Sequence, residues 1–189
     1  DADLVVDTSR GTVLEKNGAR VHTVEHVLAA LRGLEIDNCL IQVDGPEMPI
    51  MDGSSIKFIE ALEAAEVVQQ EAERDYFELK ENLTFEDPVK RVEMLAVKQD
   101  SFRVTVMVDY NSEVLGTQHA GMYNLSEFKN EIARCRTFVF LRELEALLQH
   151  NLIKGGDLDN AIVLVDSELP KEKLDYLRKV FHKEDVEIK

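Results

Sequence analysis

The hydrophobic pattern of the chain changes period across the polar and acidic stretch at residues 69–75. Before this stretch, apolar residues recur mainly at the three- and four-residue spacing of one helix face. Directly after it, in residues 76–110, they follow the short, alternating runs that are typical of strands. We therefore expect an α+β chain of two units, residues 1–70 and residues 76–189, joined by a linker.

The first unit contains two predicted helices and one predicted strand. A helix is expected at residues 21–34, where positions 24, 27, 28 and 31 place apolar side chains on one face. The alternation at residues 38–43 predicts a half-buried strand. Turn signals follow at 45–46, 48–49 and 52–53, and a second helix is then expected from Ser54 or Ser55 to about Ala65.

The second unit begins with predicted strands at residues 76–85, 92–97 and 102–110, which we expect to form an antiparallel meander. Beyond them the pattern predicts a helix capped by Ser126 and running to Arg134. The remaining predictions are an extended segment at 137–140, a helix at 142–149, a break at 155–156, a buried strand at 160–165 and a last helix from Pro170 to about Phe181.

Charge, hydropathy and cysteine content limit the possible partners and the cellular compartment of the protein. The net charge is −15, from 22 basic and 37 acidic residues, and the acidic residues are spread along the chain. Nucleic-acid binding needs clustered Lys and Arg, so no nucleic-acid partner is expected. No segment approaches the roughly 18 uninterrupted apolar residues of a transmembrane segment. Cys39 and Cys135 lie in apolar stretches, which predicts buried free thiols and a cytoplasmic protein.

The pentapeptide at residues 22–26, His-Thr-Val-Glu-His, carries the clearest chemical signal. On one helix, His22, Glu25 and His26 would share a face with small residues, and an adjacent carboxylate and imidazole suit a general base beside a metal ligand. By itself the pattern is that of inverted-motif zinc peptidases, in which both histidines bind zinc. It is equally consistent with a surface helix that happens to carry two histidines.

Four motifs dispersed along the chain are more specific than the pentapeptide. They are TVEHVLAAL at 23–31 with GLEIDN at 33–38, GPEMPIMDGS at 45–54, RTF at 136–138 and GGDLDNAIV at 155–163. In this order and spacing, the chain resembles the zinc-dependent UDP-3-O-acyl-N-acetylglucosamine deacetylases of lipid A biosynthesis. The resemblance implies two similar two-layer α/β sandwich domains, the first of them incomplete, with the active site between them.

The resemblance also implies a zinc cofactor and a role for each matching residue. His26 matches the first zinc ligand, and Glu25 matches the general base that acts on a zinc-activated water. Thr137 matches the hydroxyl that stabilises the oxyanion, and Asp52 an active-site carboxylate that supports the surroundings of the metal. The implied reaction hydrolyses the acetamide of UDP-3-O-acyl-N-acetylglucosamine, releases acetate and commits the product to lipid A.

Family members enclose the acyl chain of the substrate in an apolar passage, built by an insert in the second domain. The residues at matching positions here are Phe138, Phe140, Leu141, Leu144, Ile153, Ala161 and Val163. Apolar residues of this kind are as often ordinary core, so both interpretations stay open. Lys90 and Arg91 are candidate contacts for the substrate diphosphate, although exposed basic pairs are usually only solvated.

Other parts of the family pattern are missing from these 189 residues. His22 matches no family ligand, and the two remaining zinc ligands belong to an HxxxD motif that the sequence lacks. The resemblance therefore implies a fragment that lacks both termini and is inactive alone, from a protein that some bacteria fuse to a 3-hydroxyacyl carrier-protein dehydratase. The alternatives are a zinc peptidase, which requires metal binding by His22, and a non-catalytic scaffold or carbohydrate-binding module.

Overall fold

The computed structural model describes residues 2–144 and 159–182, and a small sheet lies near the start of the first range. After a 3-10 turn at Ala2–Leu4, the strands β1 (Val5–Asp7), β2 (Val13–Lys16) and β3 (Ala19–Val21) pair antiparallel in the order β1-β2-β3. This sheet was not predicted, because strands of three or four residues are too short to show alternation. The sequence did contain one local signal, the Asn17-Gly18 pair, which is typical of a hairpin turn. Both residues have positive φ, as that turn requires.

Two helices follow, α1 (Glu25–Gly33) and α2 (Ile56–Ala64). The helix predicted near Ser54 is confirmed, but the prediction that α1 starts at residue 21 is wrong. Thr23 has a φ of +59°, and His22 forms an isolated parallel bridge with Glu47. Both features are incompatible with helical backbone, so α1 can begin only after them.

The buried face of α1 also differs from the predicted face. Val27 and Leu31 are buried as expected, but Leu28 is 45% exposed and Ala30 is fully buried. A Cβ added at Gly33 would lie only 2.1 Å from Cδ1 of Phe128. The small residues of α1 therefore let a distant aromatic ring pack closely against the helix, and this rotates the buried face toward Ala30.

The strand predicted at residues 38–43 is not formed, and this prediction is wrong. A strand needs a hydrogen-bonded neighbour, and this segment runs exposed without one, with Leu40 at 85% exposure. Cys39 and Cys135 are free thiols as expected, but both are exposed, not buried.

The second half forms hairpins in place of the predicted meander. The strands β4 (Leu83–Asp87) and β5 (Val92–Ala96) pair with each other, as do β6 (Val104–Asp109) and β7 (Thr117–Met122). These are separate two-stranded sheets. The meander was wrong because β5 and β6, although consecutive, do not pair, and β7 supplies the partner of β6. Residues 76–82 are also not a strand.

The predicted helix at Ser126 is a short 3-10 turn, Leu125–Glu127, followed by a π-helical turn, Phe128–Ile132. Its cap is Asn124, whose side chain accepts the N–H of Ser126, so Ser126 is not the capping residue. Asn124 has extended backbone and starts the turn two residues earlier than predicted.

The strand β8 (Phe138–Phe140) confirms the predicted extended segment and pairs in parallel with β9 (Ile162–Leu164). The strand β9 was expected to be buried, but its residues are only exposed to half-buried. The helix α3 (Lys171–Val180) begins after Pro170, as predicted. Residues 141–144 are helical, whereas the rest of the predicted helix at 142–149 and the glycine pair at 155–156 lie outside the described residues.

The described chain is α+β, as expected, and its main core draws on both halves of the sequence. Val27, Leu31 and Ile59 from the two first helices pack in one cluster with Met122 and Phe128. A second cluster contains Leu141, Leu144 and Leu177. No helix within the described residues has the length and apolar character that crossing a bilayer requires.

Candidate active site

The turn at residues 50–54 holds Asp52 in a fixed orientation. The N–H of Gly53 donates to the carbonyl of Ile50 at 2.9 Å. The hydroxyl and the N–H of Ser54 both donate to Oδ1 of Asp52, at 2.8 and 3.2 Å. Partial burial acts to raise the pKa of Asp52, but these hydrogen bonds outweigh it and hold the pKa below its ordinary value. Asp52 is therefore an ionised, half-buried carboxylate.

Gly53 brings this turn into close contact with two distant segments. A Cβ at Gly53 would lie 2.0 Å from the carbonyl oxygen of Asn160 and 3.3 Å from Cγ2 of Thr137. The N–H of Thr137 donates to the carbonyl of Gly53 at 2.7 Å, and the carbonyl of Thr137 accepts the N–H of Ile162 at 2.9 Å. Nε of Arg136 donates to the carbonyl of Asp52 at 2.7 Å. Three of the four sequence motifs therefore meet around Gly53.

The remaining motif places Glu25 and His26 at the start of α1. Both side chains are half-buried, and Oε2 of Glu25 accepts the N–H of Thr12 at 2.8 Å. The chain just before α1 is tied to the turn-rich segment, because the N–H of His22 donates to the carbonyl of Pro46 and the carbonyl of His22 accepts the N–H of Met48. The tertiary structure therefore fixes where the helix starts and which residues lie on its first turn.

His22 lies apart from this first turn. It is exposed and belongs to the bridge with Glu47, outside α1. Two histidines can share one face at i and i+4 only if both are helical. His22 and His26 therefore do not lie one turn apart on a common helix, the arrangement from which an inverted-motif peptidase was predicted.

The donor set for a metal is incomplete in the described part of the chain. Within residues 2–144 and 159–182, no group of three His, Cys, Asp or Glu side chains comes together to hold a metal ion. A catalytic zinc takes about three protein ligands. His26 offers one imidazole, so the described residues do not form a zinc site alone.

Apolar candidates for the acyl-chain passage fall into two environments. Phe138 and Phe140 form edge-to-face contacts with each other and with Tyr110, with ring centroids 5.6 to 6.0 Å apart, and Phe138 is 47% exposed. Leu141 and Leu144 are buried in the second core cluster. Ala161 and Val163 are half-buried, and Ile153 lies outside the described residues. Tyr110 was not predicted to belong to this group, since a tyrosine at the end of a strand carries no local signal of its contacts.

Lys90 and Arg91 lie at the exposed turn between β4 and β5. Oδ1 of Asp87 accepts the N–H of Lys90 at 3.0 Å, which shapes the turn. Glu86 and Glu93 line the same hollow as Arg91. These carboxylates weaken the attraction of the basic pair for an anion, so the turn gives a diphosphate contact little support.

Comparisons with known proteins show which family the chain resembles. Residues 1–183 match the family model described as UDP-3-O-acyl N-acetylglycosamine deacetylase. A relative from Chlorobaculum tepidum named "Bifunctional enzyme LpxC/FabZ" is 48% identical over 176 residues, 93% of this chain and 38% of that protein. A similarly named protein from Porphyromonas gingivalis is 46% identical over 176 residues, with the same two coverages, 93% and 38%. A UDP-3-O-acyl-N-acetylglucosamine deacetylase from Myxococcus xanthus is 40% identical over 164 residues, 86% of this chain and 52% of that protein. The chain thus spans about half the relatives' length or less.

Proposed function

The chain belongs to the UDP-3-O-acyl-N-acetylglucosamine deacetylase family, and on that premise we propose that the protein containing it removes the acetyl group of UDP-3-O-acyl-N-acetylglucosamine. The acetamide bond is hydrolysed, acetate leaves, and the product is committed to lipid A. The observation that carries the proposal is the convergence of three family motifs around Gly53, through the hydrogen bonds of Thr137 and Arg136.

Glu25 and His26 are proposed as the base and as one metal ligand. Zinc, when bound, supplies a water of lowered pKa and polarises the carbonyl. The remaining ligands must come from outside the described residues. Glu25 accepts the proton of the attacking water, and its half-buried position on the first turn of α1 leaves it accessible to that water. His26 is the next residue of the same turn, so base and ligand move together.

Thr137 and Asp52 are proposed to act on the substrate side of the reaction. Both backbone groups of Thr137 are engaged, the N–H by Gly53 and the carbonyl by Ile162. Thr137 is exposed, and its hydroxyl, carried on this hydrogen-bonded backbone, can donate to the developing oxyanion. Asp52 presents an ionised carboxylate beside this segment and orients the groups around the metal.

We place the acyl chain of the substrate against the aromatic pair Phe138 and Phe140. Phe138 keeps 47% of its surface exposed, so it offers apolar surface to an acyl chain on the segment that also carries Thr137. The buried pair Leu141 and Leu144 would support this wall from the core. Ala161, Val163 and Ile153 complete the proposed passage. Contact of Lys90 and Arg91 with the substrate diphosphate stays a prediction.

Deacetylation by the full-length protein tests the proposal. Acetate release from UDP-3-O-acyl-N-acetylglucosamine should require zinc and stop when a chelator removes it. Glu25→Gln should lower kcat by about 10²- to 10⁴-fold because the base is lost, and Thr137→Val by about 10²- to 10³-fold because an oxyanion donor is lost.

His22→Ala is the matched control, since His22 is exposed and lies outside α1. It should keep both zinc content and activity. Loss of metal in this variant, or the absence of zinc-dependent deacetylation by the wild type, would refute the assignment.

We propose further that the protein is fused to a 3-hydroxyacyl carrier-protein dehydratase. Relatives named as bifunctional are 45 to 48% identical to the chain, whereas those named only as deacetylases are 40 to 41% identical. Intact mass of the native protein tests this. A mass near that of a deacetylase alone would contradict the fusion.

We also propose a cytoplasmic location, which the two free thiols support. Fractionation of the source cells should recover the protein with cytoplasmic markers. Recovery in the periplasm would contradict this.

A further inference from the structure

The backbone of Thr12 holds the start of α1 at two points. Its N–H donates to Oε2 of Glu25 at 2.8 Å, and its carbonyl accepts the N–H of Val24 at 3.3 Å. The first N–H groups of a helix have no partner inside the helix. The carbonyl of Thr12 supplies such a partner for the N–H of Val24. The N–H of the same residue binds the side chain of Glu25, the first residue of α1.

The preceding residue, Gly11, packs directly against the Glu25 carboxylate. A Cβ at Gly11 would lie 3.1 Å from Oε1 and 3.7 Å from Oε2 of Glu25, and 3.7 Å from Oγ1 of Thr23. The φ of Gly11 is +154°, a conformation that residues with a side chain rarely adopt. A Cβ at this position would require the Glu25 carboxylate to shift by a few tenths of an ångström, in addition to straining the backbone.

We propose that the Gly11-Thr12 segment positions the general base of the reaction; this inference rests on the function proposed above for Glu25. The Thr12 N–H fixes Oε2, while Oε1, which borders Gly11, keeps its lone pairs for the proton of the attacking water. A base must be held within about 0.5 Å of its productive position. The role of Gly11 is to leave room for that position, and the role of Thr12 is to define it.

Gly11→Ala in the full-length protein tests the positioning role. A displaced base slows the chemical step and leaves substrate binding intact, so kcat should fall several-fold, up to the about 10²-fold that a misplacement of about 1 Å would cause. KM should stay within about twofold, because ground-state binding is not touched. A general loss of structure would instead lower the amount of folded enzyme and leave KM unchanged, so kcat is calculated per folded enzyme, with the folded fraction measured separately.

Gly18→Ala is the matched control. Gly18 lies in the turn between β2 and β3 and also has positive φ, +81°, but nothing lies within 4 Å of an added Cβ. The control carries backbone strain without touching Glu25, so its kcat should stay at the wild-type value. Equal losses of kcat in both variants would overturn the inference.

Amide hydrogen exchange of Thr12 gives a readout independent of activity. Glu25→Ala removes the acceptor, so the Thr12 N–H should exchange about tenfold faster, the change expected for one hydrogen bond. An unchanged exchange rate would overturn the inference even if Gly11→Ala failed to fold.

The two proposals fail in different ways. If Glu25→Gln keeps full activity, Glu25 is not the base and the proposed function loses that assignment. If Glu25→Gln is inactive but Gly11→Ala keeps its kcat, only the positioning role is wrong.

Discussion

At the scale of single residues, Gly53 leaves no room for a side chain. Its φ of +78° strains any side chain, and an added Cβ would lie 2.0 Å from the Asn160 carbonyl. Gly53→Ala should therefore lower the free energy of unfolding by at least about 1–3 kcal/mol, the usual cost of such strain, with the clash added. Urea unfolding of the full-length protein measures the change.

Gly45→Ala is the control for that substitution, since Gly45 has no heavy atom within 4 Å of an added Cβ. It should change stability by less than about 0.5 kcal/mol. Equal changes in the free energy of unfolding for both variants would show that the close contact of Gly53 with Asn160 does not limit stability.

The carboxylate of Asp52 should give the protein a pH-dependent stability in the acid range. The hydrogen bonds of Ser54 outweigh desolvation and lower the folded-state pKa below the ordinary 3.8. The ionised carboxylate therefore contributes fully to the free energy of unfolding well above pH 3.8, and this contribution is lost as pH falls through the folded-state pKa. Measured from pH 6 to about pH 3, the stability difference between wild type and Asp52→Asn should shrink on acidification. A difference that stays constant would contradict the lowered pKa.

At the scale of elements, Arg74 links the segment between the two halves to the end of α1. Its guanidinium binds Asp37 at 2.8 Å and Glu35 at 3.2 Å, and it donates to the carbonyl of Glu35 at 3.0 Å. All three side chains are partly exposed, so the net contribution to global stability should be below about 1 kcal/mol. Arg74→Ala should instead release residues 66–82 locally and speed their cleavage by a protease.

The control for Arg74 is Arg20→Ala, because the Arg20–Glu15 ion pair lies within the hairpin of β2 and β3. This variant should leave cleavage at residues 66–82 unchanged. If Arg74→Ala also leaves it unchanged, the ion pairs do not hold the segment.

At the scale of the whole molecule, Phe128 joins the two halves of the sequence. Its ring packs on Gly33 of α1, and it shares one cluster with Ile59 of α2 and Met122. Phe128→Ala should cost about 3–5 kcal/mol because it empties a site lined by both halves. Urea unfolding, followed separately by hydrogen exchange in α1 and in β7, should show both elements destabilised together.

Phe128→Leu keeps most of the volume and is the milder comparison, with an expected cost below that of alanine. Destabilisation confined to residues 122–133, with α1 unaffected, would mean that the halves unfold as independent domains.

The sequence alone determined the features that depend on neighbours within a turn or two. The start of α3 after Pro170, the helix after Ser54 and the extended segment at Phe138 follow from local backbone preferences, and the structure agrees. The family was also readable from sequence, because four spaced motifs carry it and the match to residues 1–183 confirms it.

Only the tertiary structure decided what depends on distant partners. The bridge between His22 and Glu47 sets the start of α1, and Phe128 selects its buried face. Gly53 meets Asn160 and Thr137 although the motifs are far apart along the chain. Hydrophobic period reports which side of an element is apolar, but not which other element covers it. Strand pairing, the missing strand at 38–43 and the surroundings of Glu25 therefore could not be predicted from local pattern.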